Sequence, residues 1–171
     1  KSSVGRLVEL LGVDRFGANG TLFITSFLTD IIKTSVKDAG IKSVGFNGVM
    51  YSILEDDVLA LRGKQNDFTL DNLIQYAAVC GCGVDMIPVP GNVFRDEISS
   101  IILDIAALSQ TLSKPLGVRI LPIPDKMVGE FTEFNHDFLV DTRVFAMKNR
   151  AVNIKNEVLS IHPSGLINGI R

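Results

Sequence analysis

VDMIPVP, residues 84–90, is followed by VRILPIP at residues 118–124, a second apolar run of the same pattern. Each run ends on prolines, which is typical of a buried strand that stops pairing where it meets proline. Between the runs, Asn92 is placed to cap a helix over Phe94–Leu112, and Lys114-Pro115 ends that helix. This β–α–β order predicts two parallel strands joined by a right-handed crossover.

Asp85 and Arg119 hold the same position in the two runs. If the strands are adjacent and in register, the two side chains point to the same face, so we expect an Asp85–Arg119 ion pair. Two interpretations stay open. The pair fixes the register of the strands, or it holds Arg119 ready for an anionic ligand.

Further helices are predicted from apolar residues at helical spacing. They cover residues 2–12, 22–40 and 70–79. Residues 55–57 and 62–67 are interpreted as loops between helices.

Short strands are predicted in three other places. Residues 41–54 hold one or two of them, with a weaker echo of the repeat beginning at Gly48. The others lie over Thr142–Met147 and near Val158–Ile161. Residues 1–171 are therefore expected to form a single α/β domain of repeated βα units with parallel strands.

The composition excludes several classes of protein. With 171 residues, one compact core is expected. A net charge of -2 argues against a nucleic-acid binder that works by charge alone. At 46% hydrophobic and 21% charged residues, the chain is the opposite of a disordered protein.

The apolar character of the chain points to partners. Mean hydropathy is +0.29, yet no segment approaches the ~18 apolar residues of a membrane span, so no membrane partner is expected. Surplus apolar surface predicts burial against a partner subunit, in a homo-oligomer, or against a missing part of the same polypeptide. The chain starts at Lys1 without an initiator Met, which we interpret as a fragment or a processed chain.

The prolines also predict where a ligand would bind. In α/β sheets, ligands bind outside the carboxyl ends of the strands. Gly91 and Asn92 follow the first strand, and Lys126 and Glu130 lie in the long polar segment after the second. These residues are candidates for ligand binding and, in the case of Glu130, for acid–base chemistry.

A second candidate anion site is the turn Gly17-Ala18-Asn19-Gly20-Thr21, which opens a predicted helix. Free N–H groups at a helix N-terminus favour an anion, so Gly17, Gly20 and Thr21 are candidate ligand-binding residues. The alternative is a tight turn in which Thr21 only caps the helix.

Cys80 and Cys82 are the two cysteines of the chain. Two cysteines are no disulfide framework and fit a reducing compartment, with the cytoplasm as the expected location. Cys80 is a candidate nucleophile if a base lowers its pKa, and the alternative is a buried, inert thiol. With His136 and His162 the cysteines match no standard zinc spacing, so no metal site is predicted and no cofactor is identified.

Three motifs together resemble a known family. They are Ala77–Gly91, Lys114–Pro124 with the Lys126, Gly129-Glu130 and Thr132 that follow, and Arg15–Thr21. In this order they resemble the uncharacterised family called domain of unknown function seven-hundred-eleven, over residues 2 to about 147. Asp125 departs from the family pattern, in which a glycine is usual at that place. Family chains are longer, so the resemblance implies the C-terminal part of one.

The family is similar in fold to pyruvate-formate-lyase-like glycyl radical enzymes, which carry a ten-stranded α/β barrel. The resemblance therefore implies part of such a barrel, but no established reaction. Glycyl radical enzymes store the radical in a pattern like Arg-Val-x-Gly. The nearest text here is Arg143-Val144-Phe145-Ala146, with alanine in the glycine position, so radical catalysis is not expected.

Two functions from different classes follow. The first is an enzyme or binder for a small anionic metabolite at the strand ends, and the second is a non-catalytic structural subunit of an oligomeric assembly. A third hypothesis, a redox-sensing thiol protein, requires an unusually reactive Cys80. In the first hypothesis the site is lined by Cys80, Asp85, Asn92, Arg119, Lys126 and Glu130.

Overall fold

A computed structural model describes residues 2–43 and 47–148 of the chain. The strand predicted near Val158–Ile161 and His162 both lie outside the described residues. Within them, no helix is both long enough and apolar enough to cross a membrane. The helices and strands are α1 Val4–Leu10, α2 Thr21–Asp38, α3 Asp57–Gln65, α4 Leu70–Cys80, β1 Gly83–Pro90, α5 Arg95–Leu112 and β2 Gly117–Ile123.

The predicted parallel pair is confirmed. β1 and β2 form a parallel two-stranded sheet, and α5 is the helix that connects them. The fold is therefore mixed α/β with one β–α–β unit, and the described part of the chain shows neither a barrel nor further repeats of that unit.

The register of the sheet departs from the sequence repeat in the middle of the strands. Val84 pairs with Val118, but Ile87 pairs with Ile120 rather than with its sequence counterpart Leu121. Asp85 and Met86 thus stand opposite one residue of β2, as in a β-bulge. Met86 has a φ of 51°, a left-handed conformation that a side chain seldom adopts. Sequence spacing alone does not reveal this extra residue.

The strands predicted over 41–54 are wrong for the described residues of that segment. Instead, residues 49–53 follow the outer edge of β1 as irregular chain. The N–H of Val49 donates to the carbonyl of Cys80 at 3.0 Å, and that of Ile53 donates to the carbonyl of Asp85 at 3.2 Å. A side chain at Gly48 would overlap the carbonyl oxygen of Cys80, so this close approach requires glycine.

The strand predicted over Thr142–Met147 is also wrong. Arg143 forms a single isolated bridge with Phe131. The N–H of Val144 donates to Glu130 at 2.8 Å and that of Phe145 to Pro88 at 2.9 Å. Residues 142–144 pair with residues 129–132 around this one bridge only, and the N–H of Phe145 bonds to Pro88 instead. No ladder forms, although the alternating apolar pattern is that of a strand.

α3 replaces the loops predicted over 55–57 and 62–67. Asp56 caps this helix, and Asn66 ends it in a left-handed conformation.

α5 begins later than predicted, since Phe94 rather than Asn92 is its N-cap. The Glu97 carboxylate accepts the Phe94 N–H at 2.8 Å and takes over the capping role.

An aromatic cluster forms the centre of the core. Phe16 is fully buried and packs edge-on against Tyr51, Phe68 and Tyr76, with ring centroids 4.8, 5.2 and 5.6 Å away. β1 is buried along its whole length, whereas β2 is only partly covered. The core therefore lies on the β1 side of the sheet, and β2 forms its margin.

Candidate functional site

The carboxyl ends of β1 and β2 meet closely, as the prolines predict. The N–H of Gly91 donates to the carbonyl of Lys126 at 3.2 Å, and the N–H of Lys126 donates to the carbonyl of Ile123 at the same distance. A side chain at Gly91 would overlap the Ile123 carbonyl oxygen. Glycine is therefore needed to bring the two strand exits, with Asn92 and Lys126, to one place.

A cavity of about 220 Å³ opens beside these strand exits. Its walls are mainly apolar, with an amide from Asn92 and a carboxylate from Glu97. Phe94 and Met127 leave about three-quarters and one-half of their surface in solvent. The lining residues are Pro90, Asn92, Val93, Phe94, Glu97, Met127, Val128 and Met147.

A larger cavity of about 400 Å³ adjoins the first, since both contain Glu97 and Met147. It lies between α4, α5 and residues 146–148, with Asp71 and Asp104 on its rim. Asp71 forms an ion pair with the Lys148 ammonium at 2.8 Å. This cavity could not be anticipated from the sequence, because residues 146–148 come to it from a distant part of the chain.

Lys126 supplies a positive charge close to the carboxyl ends of the two strands. Its ammonium lies 3.3 Å from Oε2 of Glu133, whose side chain is 73% exposed. An ion pair with so exposed a partner is weak, so the Lys126 charge is available to another anion.

Glu130 has a structural contact that the acid–base hypothesis did not foresee. Its carboxylate accepts the backbone N–H of Met127 and closes the turn that follows β2. Lys126 and Glu130 are thus in the same turn, as predicted from their positions. The contact indicates that Glu130 stabilises this turn.

The predicted Asp85–Arg119 pair is confirmed. The guanidinium donates to both carboxylate oxygens, with Nη2 of Arg119 2.7 Å from Oδ2 of Asp85. Asp85 is buried with 3% of its side chain exposed, while 56% of the Arg119 side chain is exposed. The Glu55 carboxylate accepts from Arg119 at 3.4 Å.

This geometry favours the register interpretation of the pair. Hydrogen bonds from Arg119 to Asp85, outweighing a small opposing effect of burial, raise the pKa of the guanidinium, so it stays charged. Two carboxylates already contact the guanidinium, so an anionic ligand would have to compete with Glu55 for it. The bulge at Asp85 and Met86 explains how the pair forms despite the shifted register.

Both cysteines are buried thiols. Cys80 is fully covered, and its sulfur accepts the N–H groups of Cys82 and Gly83 at 3.3 and 3.4 Å. Burial raises the pKa of the Cys80 thiol, against smaller opposing effects of these N–H groups and of Lys114. Burial likewise raises the pKa of Cys82. Such thiols are poor nucleophiles at neutral pH, which favours the inert interpretation over the redox-sensing one.

Lys114 is a cation that acts on both thiols, although its place in the sequence predicted only a part in ending a helix. Its ammonium donates to Oδ1 of Asn47 at 2.6 Å and lies over Gly81. Burial, with a further contribution from Lys33, lowers the pKa of Lys114.

The turn before α2 is closed by its own hydrogen bonds. The Thr21 hydroxyl accepts the N–H of Gly17 at 3.1 Å and donates to the carbonyl of Ala18 at 2.7 Å. Thr21 is fully buried, and a side chain at Gly17 would overlap the backbone of Asp67. These contacts favour the tight-turn interpretation of Gly17, Gly20 and Thr21 over an anion site, but the prediction that Thr21 caps the helix is wrong, since Gly20 is the N-cap of α2 and Thr21 is its first residue.

The structure therefore separates the predicted site residues. β1 has eight residues and spans roughly 23 Å at ~3.3 Å per residue. Cys80 lies before its first residue and Asn92 after its last, with Asp85 between them. Gly91, Asn92, Lys126 and Glu130 share one end of the sheet, whereas Cys80 lies at the other.

Two buried carboxylates were missed. Asp56 accepts from the N–H groups of Val4 and Gly5 at 2.6 and 3.3 Å and from those of Val58 and Leu59 at 3.0 Å, so one carboxylate caps both α1 and α3. An aspartate just before an apolar helical pattern is a cap signal that could have revealed α3. The link to α1, 52 residues away, could not have been found in that way.

Glu9 is the second missed carboxylate. It accepts from Nε of Arg62 at 2.7 Å and from the N–H of Phe16 at 3.1 Å. Burial opposes its ionisation, but the hydrogen bonds and the Arg62 charge outweigh burial and lower the pKa of Glu9. These carboxylates hold helices in place, and within the described residues no group of three or more His, Cys, Asp or Glu side chains could hold a metal ion.

Comparison with known proteins decides the family. The family model described as "Uncharacterised ACR (DUF711)" matches residues 1–142. The chain belongs to this family. The match covers every helix and strand described above and confirms the resemblance in the three motifs.

Curated relatives share the name UPF0210 protein. One from Pyrobaculum arsenaticum is 38% identical over 129 residues, which are 75% of this chain and 29% of the relative. Others, from Clostridium perfringens and Neisseria gonorrhoeae, are 34% and 36% identical over 132 residues, 77% of this chain and 29% of each relative. The matched part thus spans less than a third of the length of these relatives.

Proposed function

We propose that this DUF711 family protein binds a small anionic molecule at the carboxyl ends of β1 and β2. The observation that carries the proposal is the convergence of Gly91, Asn92 and Lys126 beside an open cavity of about 220 Å³. In α/β proteins, ligands bind at the carboxyl ends of parallel strands, which form this edge of the sheet.

The lining of the cavity narrows the class of ligand. Val93, Phe94, Met127 and Val128 offer contact to an apolar body, and the Asn92 amide offers hydrogen bonds. Lys126 precedes the lining residue Met127, and its ammonium, paired with the exposed Glu133, would offer the counter-charge from beside the cavity. A carboxylate or phosphate ester with a small apolar group has this combination of properties.

The finer architecture belongs to the same proposal. β2 pairs with β1 alone within the described residues, and its apolar pattern is that of a strand covered on both faces. We therefore propose that the pair is part of a larger parallel barrel, in which the strand-end surface is one sector of the site. Asp85 and Arg119 would then fix the register of that sheet.

We also propose a cellular location. Cys80 and Cys82 are both free thiols, which fits a reducing compartment such as the cytoplasm.

Native mass spectrometry of the gently purified protein tests the binding function. The expected result is a retained small anion in the wild type that is lost from Lys126→Gln. The matched control is Lys37→Gln, which removes the same charge from the exposed last turn of α2 and should retain the anion.

Thermal unfolding with defined probes tests the ligand class. Phenyl phosphate should raise the Tm more than either inorganic phosphate, which lacks the apolar body, or benzyl alcohol, which lacks the charge. Lys126→Gln should abolish the difference between phenyl phosphate and benzyl alcohol. Absence of a retained anion together with equal Tm values for all three probes would overturn the proposal.

The second candidate function is a structural subunit of an oligomeric assembly. It is favoured by the Asp85–Arg119 pair, whose charged groups are already paired, and by large apolar side chains in solvent, such as Phe23 and Leu10 at 70% and 69% exposure. A large, ligand-free homo-oligomer in the native spectrum would support this function in place of the first.

A further inference from the structure

Helix α2 packs a row of threonines against the core beside Ile24 and leaves a second apolar stripe in solvent. Thr21, Thr25 and Thr29 face the core and are at most 1% exposed. Phe23, Phe27 and Ile31 face outward with 70%, 45% and 45% of their surface exposed. A surface helix ordinarily buries its apolar stripe and presents its polar residues to water.

Specific hydrogen bonds hold the threonine face inward. The Thr25 hydroxyl lies 2.7 Å from the Tyr51 hydroxyl, and the Thr29 hydroxyl donates to the carbonyl of Cys80 at 3.2 Å. Thr25 also donates to the carbonyl of Thr21 at 2.6 Å. Rotating α2 to bury its phenylalanines would remove the Thr25 partner of the buried Tyr51 hydroxyl and one of the two hydrogen bonds of the Cys80 carbonyl, and buried unpaired polar groups are costly.

The outward residues form a continuous stripe. Phe23, Phe27 and Ile31 follow one another at intervals of four residues, so they lie on one side of the helix. The rings of Phe23 and Phe27 are stacked, with centroids 6.5 Å apart and planes inclined by 17°. Stacked rings in solvent next to an aliphatic residue form a surface suited to packing against another apolar surface.

The length of the relatives indicates what covers this stripe. α2 lies inside the family match, and the matched part makes up 29% of a UPF0210 protein from Pyrobaculum arsenaticum. Longer chains bury a larger fraction of their surface in a shared core. A mean hydropathy of +0.29 is in keeping with a chain that contributes only part of such a core.

We propose that the stripe Phe23–Phe27–Ile31 is an interface for additional polypeptide of the longer family protein, which packs an apolar surface against it. The buried threonine face fixes the orientation of α2, and the stripe receives the additional chain within the same molecule. Cover by a second copy, or by nothing, is the alternative outcome of the test.

The test is site-specific photo-crosslinking in the native polypeptide, with p-benzoylphenylalanine in place of Phe27. The expected product stays at monomer mass on a denaturing gel, and peptide mapping joins position 27 to a peptide outside residues 1–171. The control carries the same probe at Phe138, which is 80% exposed in a loop, and should show little crosslinking.

Two crosslinking results would overturn the proposal. A crosslinked dimer joining position 27 to these residues in another molecule would assign the stripe to a second copy. Crosslinking no greater than that of the Phe138 control would show a bare stripe. The intact mass adds a third condition, because a native polypeptide of only 18.6 kDa would leave no additional chain to occupy it.

A substitution gives an independent readout. Phe27→Asp in the native polypeptide should lower the Tm by several degrees without changing the number of subunits, whereas Phe138→Asp should leave the Tm unchanged. Dissociation of an oligomer by Phe27→Asp, or equal Tm values for the two variants, would contradict the proposal.

Discussion

β1 and β2 have nearly the same sequence pattern and very different surroundings. All eight residues of β1 are buried, whereas the seven residues of β2 are partly or largely exposed. β1 lies between β2 on one side and residues 49–53 and Phe145 on the other, while β2 has β1 as its neighbour. Burial of an apolar strand is thus decided by what packs beside it, because the pattern states only that the strand can be buried.

The approaches to the two strands differ as well. Cys80 and Cys82 precede β1, where Lys114 and Leu116 hold the corresponding places before β2. The thiols are covered by the same packing that buries β1. Differences between the two strands in reactivity and stability should therefore follow from position, and three experiments can test this.

Protection of the thiols should be the strongest of these effects. Labelling of Cys80 and Cys82 by a neutral disulfide reagent at pH 7 should be slowed on the order of a thousandfold relative to the unfolded chain, because the thiols are exposed only on opening of the core. Labelling is followed by absorbance with and without urea.

Rapid labelling of one thiol in the folded protein would contradict the buried interpretation and make Cys80 a candidate nucleophile again. The matched control is the Cys82→Ser variant, which reports Cys80 alone.

Equal truncations in the two strands should have unequal effects on stability. Ile87 is fully buried, and its structural partner Ile120 is only partly so. Ile87→Ala should lower the free energy of unfolding by about 3 kcal/mol and Ile120→Ala by about 1 kcal/mol, because the Ile87 side chain removes more apolar surface from water and leaves a larger cavity when truncated. Urea unfolding followed by circular dichroism measures both.

Similar losses for the two variants would show that β2 is as well covered as β1 in the native protein. That result would indicate that additional polypeptide covers the β2 edge of the sheet as well as the apolar stripe of α2.

The Asp85–Arg119 pair should respond unequally to loss of either partner. Arg119→Met leaves the buried Asp85 carboxylate without its counter-charge and should cost about 2 kcal/mol. Asp85→Ala leaves a largely exposed guanidinium in water and should cost about 1 kcal/mol or less.

The Asp85→Leu/Arg119→Met double variant is the control, and it should recover most of the loss because no buried charge remains. A double variant less stable than Arg119→Met would mean that the pair does more than neutralise a buried charge.

The weakest effect concerns Glu9, whose lowered pKa makes stability depend on pH. A carboxyl with a lowered pKa in the folded state stabilises above its unfolded pKa, and this contribution is lost as pH falls through the folded pKa. Glu9→Gln should therefore reduce the free energy of unfolding by about 1 kcal/mol at pH 7. The difference from wild type should shrink below the ordinary glutamate value of 4.5.

Urea titrations between pH 3 and pH 7 measure the difference in free energy of unfolding between wild type and Glu9→Gln. A change of one pKa unit corresponds to ~1.4 kcal/mol of this difference. Glu133→Gln serves as the control, because that side chain is 73% exposed and should show no such dependence. A constant difference between Glu9→Gln and wild type across this range would contradict the assignment.

Predictions from the sequence succeeded where local pattern and local structure coincide. The parallel pair, its connecting helix and the Asp85–Arg119 pair all follow from one repeat, and the residues concerned touch one another. Predictions of strands failed for residues 49–53 and 142–147, since each segment meets its neighbour through a few backbone hydrogen bonds and one isolated bridge rather than through a continuous ladder. A strand-like pattern cannot reveal whether a neighbour with matching backbone groups is present.

The candidate site was predictable only in part. Strand polarity brought Gly91, Asn92 and Lys126 together at one edge, as expected from the prolines. Strand polarity also puts Cys80, which precedes β1, at the opposite end of the sheet, so the expected grouping of Cys80 with Asn92 and Lys126 did not follow from the predicted strands. The cavity beside Met147 was likewise invisible, since its walls come from segments far apart in the chain.

Residue spacing in the amino-acid sequence was enough to predict the parallel pairing of two strands and the ion pair between them, because both depend on residues at fixed intervals, and the family entered as a resemblance in three motifs. Tertiary packing was needed to decide that β1 is buried and β2 marginal, that Asp56 caps two helices, and that α2 turns its threonines inward. These features depend on which distant segment offers a hydrogen-bond partner or covers a face. Spacing along one chain does not contain that information.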